Sequence, residues 1–363
     1  MRNLLCALAV AALSACAPVS QLPVVEDALA LEERKKQQDL AVVAQRKNFQ
    51  RIVSAGYPIL KANADLCGED AVKKPGVYLA NKYSFSQDFR AAAERALDLD
   101  ESVKVYALSE KSPAFEAGLR EGDTLVSIGS WGVPIGEKAV LDTKKKLKEI
   151  GAEETASAKF KVLREGQDIE TLVNFAETCP YNLSLEQKDI VNAYADGTAV
   201  VITTGMLRFI ESESELEVVL GHEVAHNLMG HISKSQGNRA VGLLVDILFA
   251  GFGVNTNGAF SDIGAAAFSQ EFEAEADYVG LYLASRAGSD ISSAPNFWRR
   301  MAVAHPGNIR DNMMASHPAP PRRFVALEKT ISEIEAKIET RQPLLPEKKK
   351  EPAQAVMTEQ DQY

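Results

Sequence analysis

The sequence predicts an α+β protein with two folded units, a strand-rich one in the middle of the chain and a mainly helical one with a small sheet after it. Two observations carry this. Short apolar segments of strand length, separated by turns that contain Gly or Pro, recur between Val103 and Phe175. Beyond them apolar residues return at helical spacing, as in Leu216, Val219, Leu220, Val224 and Leu228. A length of 363 residues suits two or so domains, and 46% hydrophobic with 25% charged residues is ordinary for a chain with a sizeable core. The net charge of -10 argues against nucleic acid as a partner, because phosphate contacts need a basic surface.

The chain opens with a targeting segment, which has no part in the fold. Arg2 supplies positive charge, and the apolar stretch Leu4 to Leu13 is too short to span a bilayer. Leu13-Ser14-Ala15-Cys16 then resembles the lipobox of bacterial lipoproteins. That resemblance implies a signal peptide over 1–15, a lipid on Cys16 and a membrane anchor through it. Ala17 stands behind the cysteine, with no aspartate there, which by analogy with enteric bacteria implies the periplasmic face of the outer membrane. Cys6 leaves with the signal. Cys67 and Cys179 remain, an even pair in an oxidising compartment that flanks the middle region, and a disulfide between them is expected over two buried thiols.

Residues 16–75 form an N-terminal helical segment, because Val24 to Asn63 is rich in Ala, Leu, Glu, Lys and Gln and reads as one or two helices. Lys73-Lys74-Pro75-Gly76 punctuates a boundary. Val103, Val105 and Ala107 alternate with Lys104 and Tyr106, as a strand would. Thr124 to Ile128 and Ala158 to Leu163 are two further strands, Glu137 to Ile150 is a helix between them, and Glu165-Gly166 reads as a hairpin turn. Within this stretch Ser112-Pro113-Ala114, Ala117-Gly118-Leu119 and Gly122-Asp123 resemble a PDZ domain of the bacterial protease type. The resemblance implies a PDZ-like β-sandwich over 76–177 that captures a peptide or protein partner by adding a strand to a sheet edge. Where such domains carry a Gly-Leu-Gly-Phe-like loop for a terminal carboxylate, this chain has Pro75-Gly76-Val77-Tyr78, which leaves a spacer role open.

His222-Glu223-Val224-Ala225-His226 matches the H-E-x-x-H pattern. Residues four apart share one helix face, so both imidazoles reach one ion, and Glu223 is turned about 100° from His222, beside that ion. Zinc suits two imidazoles with a carboxylate and a water. Ser214, with Glu217 three residues on, is the expected cap of this helix. His231 is at the wrong spacing for a third ligand, and on a continuous helix it points away from the His222–His226 face, so it is read as an outer or surface residue. The third ligand is sought in Glu271-Phe272-Glu273-Ala274-Glu275-Ala276-Asp277, where spacing alone leaves two pairs open, Glu271 with Glu275 and Glu273 with Asp277.

Four features in order resemble the HtpX-like, Oma-type and CAAX-processing-type gluzincin metallopeptidases. They are Asn192-Ala193-Tyr194-Ala195 with Val200 to Gly205, the zinc motif, Glu273 with Asp277 as E-x-x-x-D, and Ser316-His317-Pro318 with Arg323. The resemblance implies a metallopeptidase domain over 178–340 with one zinc ion held by His222, His226 and Glu273. It also implies that Asp277 orients a ligand histidine, that His317 enters the site as a donor or reversible ligand, and that Arg323 fixes that loop or a substrate carbonyl. Some relatives carry a second proline after the His-Pro pair, where this chain has Ala319. His305 has no motif around it and is read as structural.

The expected mechanism is hydrolysis of a peptide bond by a zinc-activated water with Glu223 as general base. Ala199 to Thr203 is the expected sheet edge for an extended substrate. The substrates implied are unfolded or misassembled envelope proteins. A non-enzymatic or latent envelope chaperone or scaffold is the alternative, set against the intact Glu223, and an amidase on a non-peptide substrate is more distant. The apolar segment Ala240 to Val254 is read as a buried or gating helix, since it is short for a membrane span and holds Asp246. Residues 341–363 are read as a disordered tail.

Overall fold

The computed structural model describes Ser20 and residues 23–251, 269–304 and 321–347. The segment 1–15, Cys16, His305, His317 with Pro318, residues 252–254 of the apolar segment and the end of the tail lie outside the described residues.

The N-terminal segment is a single helix, α1 (Asp27–Ala62), which runs through Pro58. It is 36 residues long, and at 1.5 Å per residue it spans about 54 Å. Its second half buries Ile52, Val53, Tyr57, Ile59 and Leu60, whereas Leu29, Leu31 and Leu40 near its start are exposed. The next strands are β1 (Val72–Lys74) and β2 (Val77–Ala80), followed by α2 (Arg90–Leu97), β3 (Lys104–Leu108), α3 (Pro113–Glu116), β4 (Thr124–Ile128), β5 (Trp131–Gly132), α4 (Ala139–Gly151), β6 (Ser157–Arg164), β7 (Gln167–Asn174) and β8 (Ala176–Thr178).

Five strands of this middle unit form one sheet in the order β2-β3-β4-β6-β7, with β5 paired to β4. Where a β-sandwich was expected, helices close the core of this sheet, and the other sheet of the unit is only the two-stranded β1–β8 ladder. Val105, Leu125, Phe160 and Val162 pack with Leu147 and Ile150 of α4 on one side. On the other, Tyr106 and Ala107 pack against Val42 and Val53 of α1 and Ala92 and Ala93 of α2. This double cover buries every residue of β3, the strand that the alternation suggested, including Lys104. The Lys104 ammonium donates to the exposed Asp98 carboxylate, 2.6 Å away. The β6–β7 hairpin turns at Glu165-Gly166, as read from the sequence.

β1 and β8 pair antiparallel and tie together the two ends of the middle unit. Beside them Cys67 and Cys179 are joined by a disulfide, with Cα atoms 5.5 Å apart.

The last unit contains β9 (Asn182–Glu186), β10 (Ala193–Ala195), β11 (Ala199–Thr203), α5 (Thr204–Phe209), α6 (Glu213–Leu228), α7 (His231–Gly251), α8 (Ser269–Arg286), α9 (Ala294–Ala304) and α10 (Pro321–Glu339). Its three-stranded sheet has the order β10-β11-β9, so β11 is the central strand. That corrects the expectation that Ala199 to Thr203 is an edge: both sides of β11 already carry a partner, antiparallel β10 and parallel β9. The core joins Ile59 and Leu60 of α1, Val200 and Ile202 of β11, Leu216 and Leu220 of α6, Tyr282 and Leu283 of α8, Phe297 of α9 and Ile334 of α10. The long first helix thus belongs to the cores of both units.

Helix α6 is capped two residues before the expected Ser214. Ser212 is the N-cap, and its hydroxyl accepts from the Glu215 amide at 3.2 Å. Three residues of the apolar segment bear on the buried part of its buried-or-gating reading. Leu243, Leu244 and Ile247 of α7 are exposed rather than buried. Among the described residues no helix is long and apolar enough to cross a membrane.

Candidate metal centre

Helix α6 is buried nearly all round, and its polar residues His222, Glu223 and His226 are buried with it. Buried polar groups are costly unless partnered, and α8 supplies the partners by crossing α6 at very short range. Gly221 and Gly280 are the crossing residues: a Cβ on Gly221 would lie 2.6 Å from the Gly280 carbonyl oxygen. Two side-chain-free positions let the two backbones touch, and Glu273 and Asp277, about two turns and one turn before Gly280, then face the histidines.

Three donors meet there. The Nε2 atoms of His222 and His226 are 3.1 Å apart. Glu273 places Oε2 at 3.4 Å from His222 Nε2 and Oε1 at 3.2 Å from His226 Nε2. Ligands about 2.0 to 2.1 Å from a tetrahedral ion stand about 3.3 Å from one another, so this triangle fits the face of a zinc tetrahedron. All three residues are buried, and they form the one metal-capable His/Cys/Asp/Glu group among the described residues. Burial works against a charged His222, yet the Asp277 and Glu273 carboxylates outweigh it and raise its pKa to about 10.

Asp277 and Arg323 brace this triangle. Asp277 Oδ1 lies 3.0 Å from His222 Nδ1. Arg323, in the first turn of α10, grips Asp277 with Nε to Oδ2 at 2.5 Å and Nη2 to Oδ1 at 2.9 Å. Its Nη1 is 3.3 Å from Glu273 Oε2. Burial alone would raise the Asp277 pKa, but the guanidinium and His222 reverse this and hold it below the usual carboxylate range. The Arg323 guanidinium sits 4.3 Å over the Trp298 ring, and that ring is 4.9 Å from His222. Trp298 is a site residue that sequence reasoning missed, since a lone tryptophan on an amphipathic helix carries no signal of a partner 25 positions later.

His231 stands outside the donor triangle, as read, but it lies against His226 rather than pointing away from it. The helix is not continuous past His226: α6 ends at Leu228, and Gly230 turns the chain with φ of 65° before α7 begins. The turn brings His231 back under the site, with its Nδ1 3.0 Å from His226 Nδ1. Its Nε2 is 2.8 Å from Glu275 Oε2. The ring is buried and stacked on Phe272 with centroids 4.6 Å apart. Burial lowers the His231 pKa, against the pull of Glu275.

Asn227, the residue after the second histidine, fixes the adjoining hairpin. Its Oδ1 accepts from the Gly197 amide at 2.7 Å and its Nδ2 donates to the Ala199 carbonyl at 2.9 Å. The β10–β11 turn is thereby fastened to the helix that carries the metal donors, and β10, which packs on α6, is one of the two outer strands of the sheet.

Residues 159–331 match the model of peptidase family M48. That segment is just under half of the chain. The M48 segment begins inside β6, so it takes in the last strands of the middle unit with the whole zinc motif, α8 and most of α10. The beta-barrel assembly-enhancing protease of Yersinia pestis is 31% identical over 165 residues, 40% of this chain and 33% of that protein. The mitochondrial metalloendopeptidase OMA1 of Schizosaccharomyces pombe is 33% identical over 151 residues, 40% of this chain and 44% of that one. The beta-barrel assembly-enhancing protease of Escherichia coli (strain K12) is 28% identical over 161 residues, 40% of this chain and 33% of that protein. The chain thus spans from a third to under half the length of these M48 relatives. Among solved structures, the HtrA3 PDZ domain bound to a phage-derived ligand covers 29% of this chain at 13% identity with a TM-score of 0.23, too low a score to bear on the fold.

Proposed function

We propose that the protein is a zinc endopeptidase of the bacterial envelope, lipid-anchored through Cys16, acting on unfolded or misassembled envelope proteins. The observation that carries this is the buried triangle of His222, His226 and Glu273, which fits one zinc ion, with Glu223 on the same helix. In it zinc would supply a Lewis acid that polarises the scissile carbonyl and acidifies a water. The protein's own residues do the rest. Glu223 takes the proton of the attacking water and returns it to the leaving amine. Asp277 and Arg323 keep His222 and Glu273 in place, and His317 acts from outside the described residues as a donor to the reacting oxygen.

An extended substrate would lie along β10, the outer strand beside α6, rather than along β11. Backbone pairing of that kind reads little sequence, which suits unfolded chains. The middle unit supports capture of a further peptide stretch along β2, the outer strand of its sheet. Two of the M48 relatives are named for enhancing β-barrel assembly, which supports an envelope role in quality control of barrel assembly.

The test is cleavage of an unfolded protein by the full chain in detergent, beside Glu223→Gln and a chelator. Cleavage should fall by about 10² to 10⁴ in the variant, the range for a lost general base, and should vanish on chelation while the variant still binds zinc. A parent that holds zinc yet leaves the test protein whole would favour a latent or chaperone role.

A further inference from the structure

We infer that His231 and Glu275 are positioning residues for His226: a hydrogen-bonded chain runs from the Glu275 carboxylate through His231 to His226 and fixes which ring nitrogen of His226 meets the metal. This rests on His226 being a zinc ligand.

The chain is defined by donors and acceptors. Glu275, as a carboxylate, can only accept. Its Oε2 lies 2.8 Å from His231 Nε2, so that nitrogen carries the proton. In the neutral imidazole the other nitrogen, Nδ1, is then an acceptor. It lies 3.0 Å from His226 Nδ1, and two nitrogens at that distance share one proton, which must come from His226. His226 therefore keeps its lone pair on Nε2, the atom 3.2 Å from Glu273 Oε1 and 3.1 Å from His222 Nε2. Ligand histidines commonly donate their second nitrogen to a carboxylate, which sets ring orientation and basicity. His222 faces Asp277 directly in this way. His226 reaches its carboxylate only through the intervening histidine.

The parts that hold His231 are those a relay needs. Its ring is buried and stacked on Phe272 with 14° between planes, so it cannot swing to another tautomeric partner without leaving that stack. The left-handed turn at Gly230 delivers it to a place that a continuous helix would not reach. The acidic cluster is thereby divided by function: Glu273 and Asp277 face the ion and His222, and Glu275 faces His231.

The experiment measures the zinc dissociation constant of the full chain by competition with a chelator, together with the ¹⁵N shifts of the His226 ring. His231→Phe keeps the stack but removes the acceptor, and should weaken zinc binding about 10- to 100-fold, as loss of an outer partner does. His231→Asn places its Oδ1 where Nδ1 stood and should restore most of that loss. Glu275→Ala, at a half-exposed residue that leaves the fold intact, should weaken zinc binding severalfold and shift the His226 ring signals. A folded His231→Phe that binds within twofold of the parent, or an Asn variant no better than Phe, would overturn the inference. If His231→Phe does not fold, an unchanged Glu275→Ala overturns it alone. A parent with no zinc affinity removes the ligand assignment itself, and a parent that binds tightly beside variants that bind equally well removes only the relay.

Discussion

A Cβ placed on Gly280 would lie 2.8 Å from both the Cα and the amide nitrogen of His222. The backbone of the metal-binding helix and that of α8 are in contact there, and neither can yield as a side-chain tip would. Gly280→Ala should therefore push the helices apart, at a cost of about 1 to 3 kcal/mol for overpacking a tight core. It should also draw Glu273 away from the histidines. Urea melts and zinc titration of the variant check this; an unchanged midpoint with unchanged zinc affinity would refute it.

Asp277 and Arg323 are a buried pair with side chains 5% and 3% exposed. Removing one partner of such a pair strands the other, at about 3 to 5 kcal/mol. Asp277→Asn should lose stability on that scale and weaken zinc binding, because His222 loses its anionic neighbour. Arg323→Met combined with Asp277→Leu should recover much of the stability but not the zinc affinity. A double variant that regains both would show that the pair does not orient the site.

Glu215 gives the pH dependence. It sits at the start of α6, accepts from the Glu211 amide at 2.8 Å and pairs with Arg300. Burial would raise its pKa, but Arg300 and the amides at the helix start outweigh that and lower it. A depressed folded pKa stabilises above the unfolded value, near 4.3, and that stability is lost as pH falls through the lower folded value. Glu215→Gln should cost about 2 kcal/mol at neutral pH, the scale of hydrogen bonds to a charged group, and should flatten the acid limb below about pH 4. Denaturation midpoints between neutral pH and pH 3 test this, and parallel curves for parent and variant would count against it.

The disulfide encloses the whole middle unit, since Cys67 and Cys179 are 112 residues apart in sequence. Closing a loop of that length restricts the unfolded chain, and typical disulfides contribute about 2 to 4 kcal/mol. Reduction, or Cys67→Ser with Cys179→Ser, should lower the melting temperature of the last unit as well as the middle one, because Cys179 lies in the core of the last unit. A fall confined to one unit would argue against a shared clasp.

Much of the fold was legible because its signals are local. Strands β4 and β6, helix α4 and the hairpin at Glu165-Gly166 announce themselves by periodicity and turn residues within a dozen positions. The readings that failed depend on what lies opposite. Alternation marked β3 as a strand but could not say that α1 and α2 pack on it. Ala199 to Thr203 looked like an edge because the sequence cannot say that β9 pairs on its far side.

The metal centre divides along the same line. His222, Glu223 and His226 are set by spacing on a single helix, so the sequence alone determines that one face of one element presents them together. Which acid of Glu271, Glu273, Glu275 and Asp277 turns inward was not determined by spacing, since both pairs share that spacing. The tertiary structure decides it through the Gly221–Gly280 crossing, which sets the rotation of α8 against α6. It also decides the surroundings: Arg323 and Trp298 come from two later helices, and His231 returns through a single left-handed turn at Gly230. The physical reason is range. Helical periodicity is written in neighbours three and four apart, whereas the angle at which two helices meet depends on the absence of two side chains 59 residues apart, at Gly221 and Gly280.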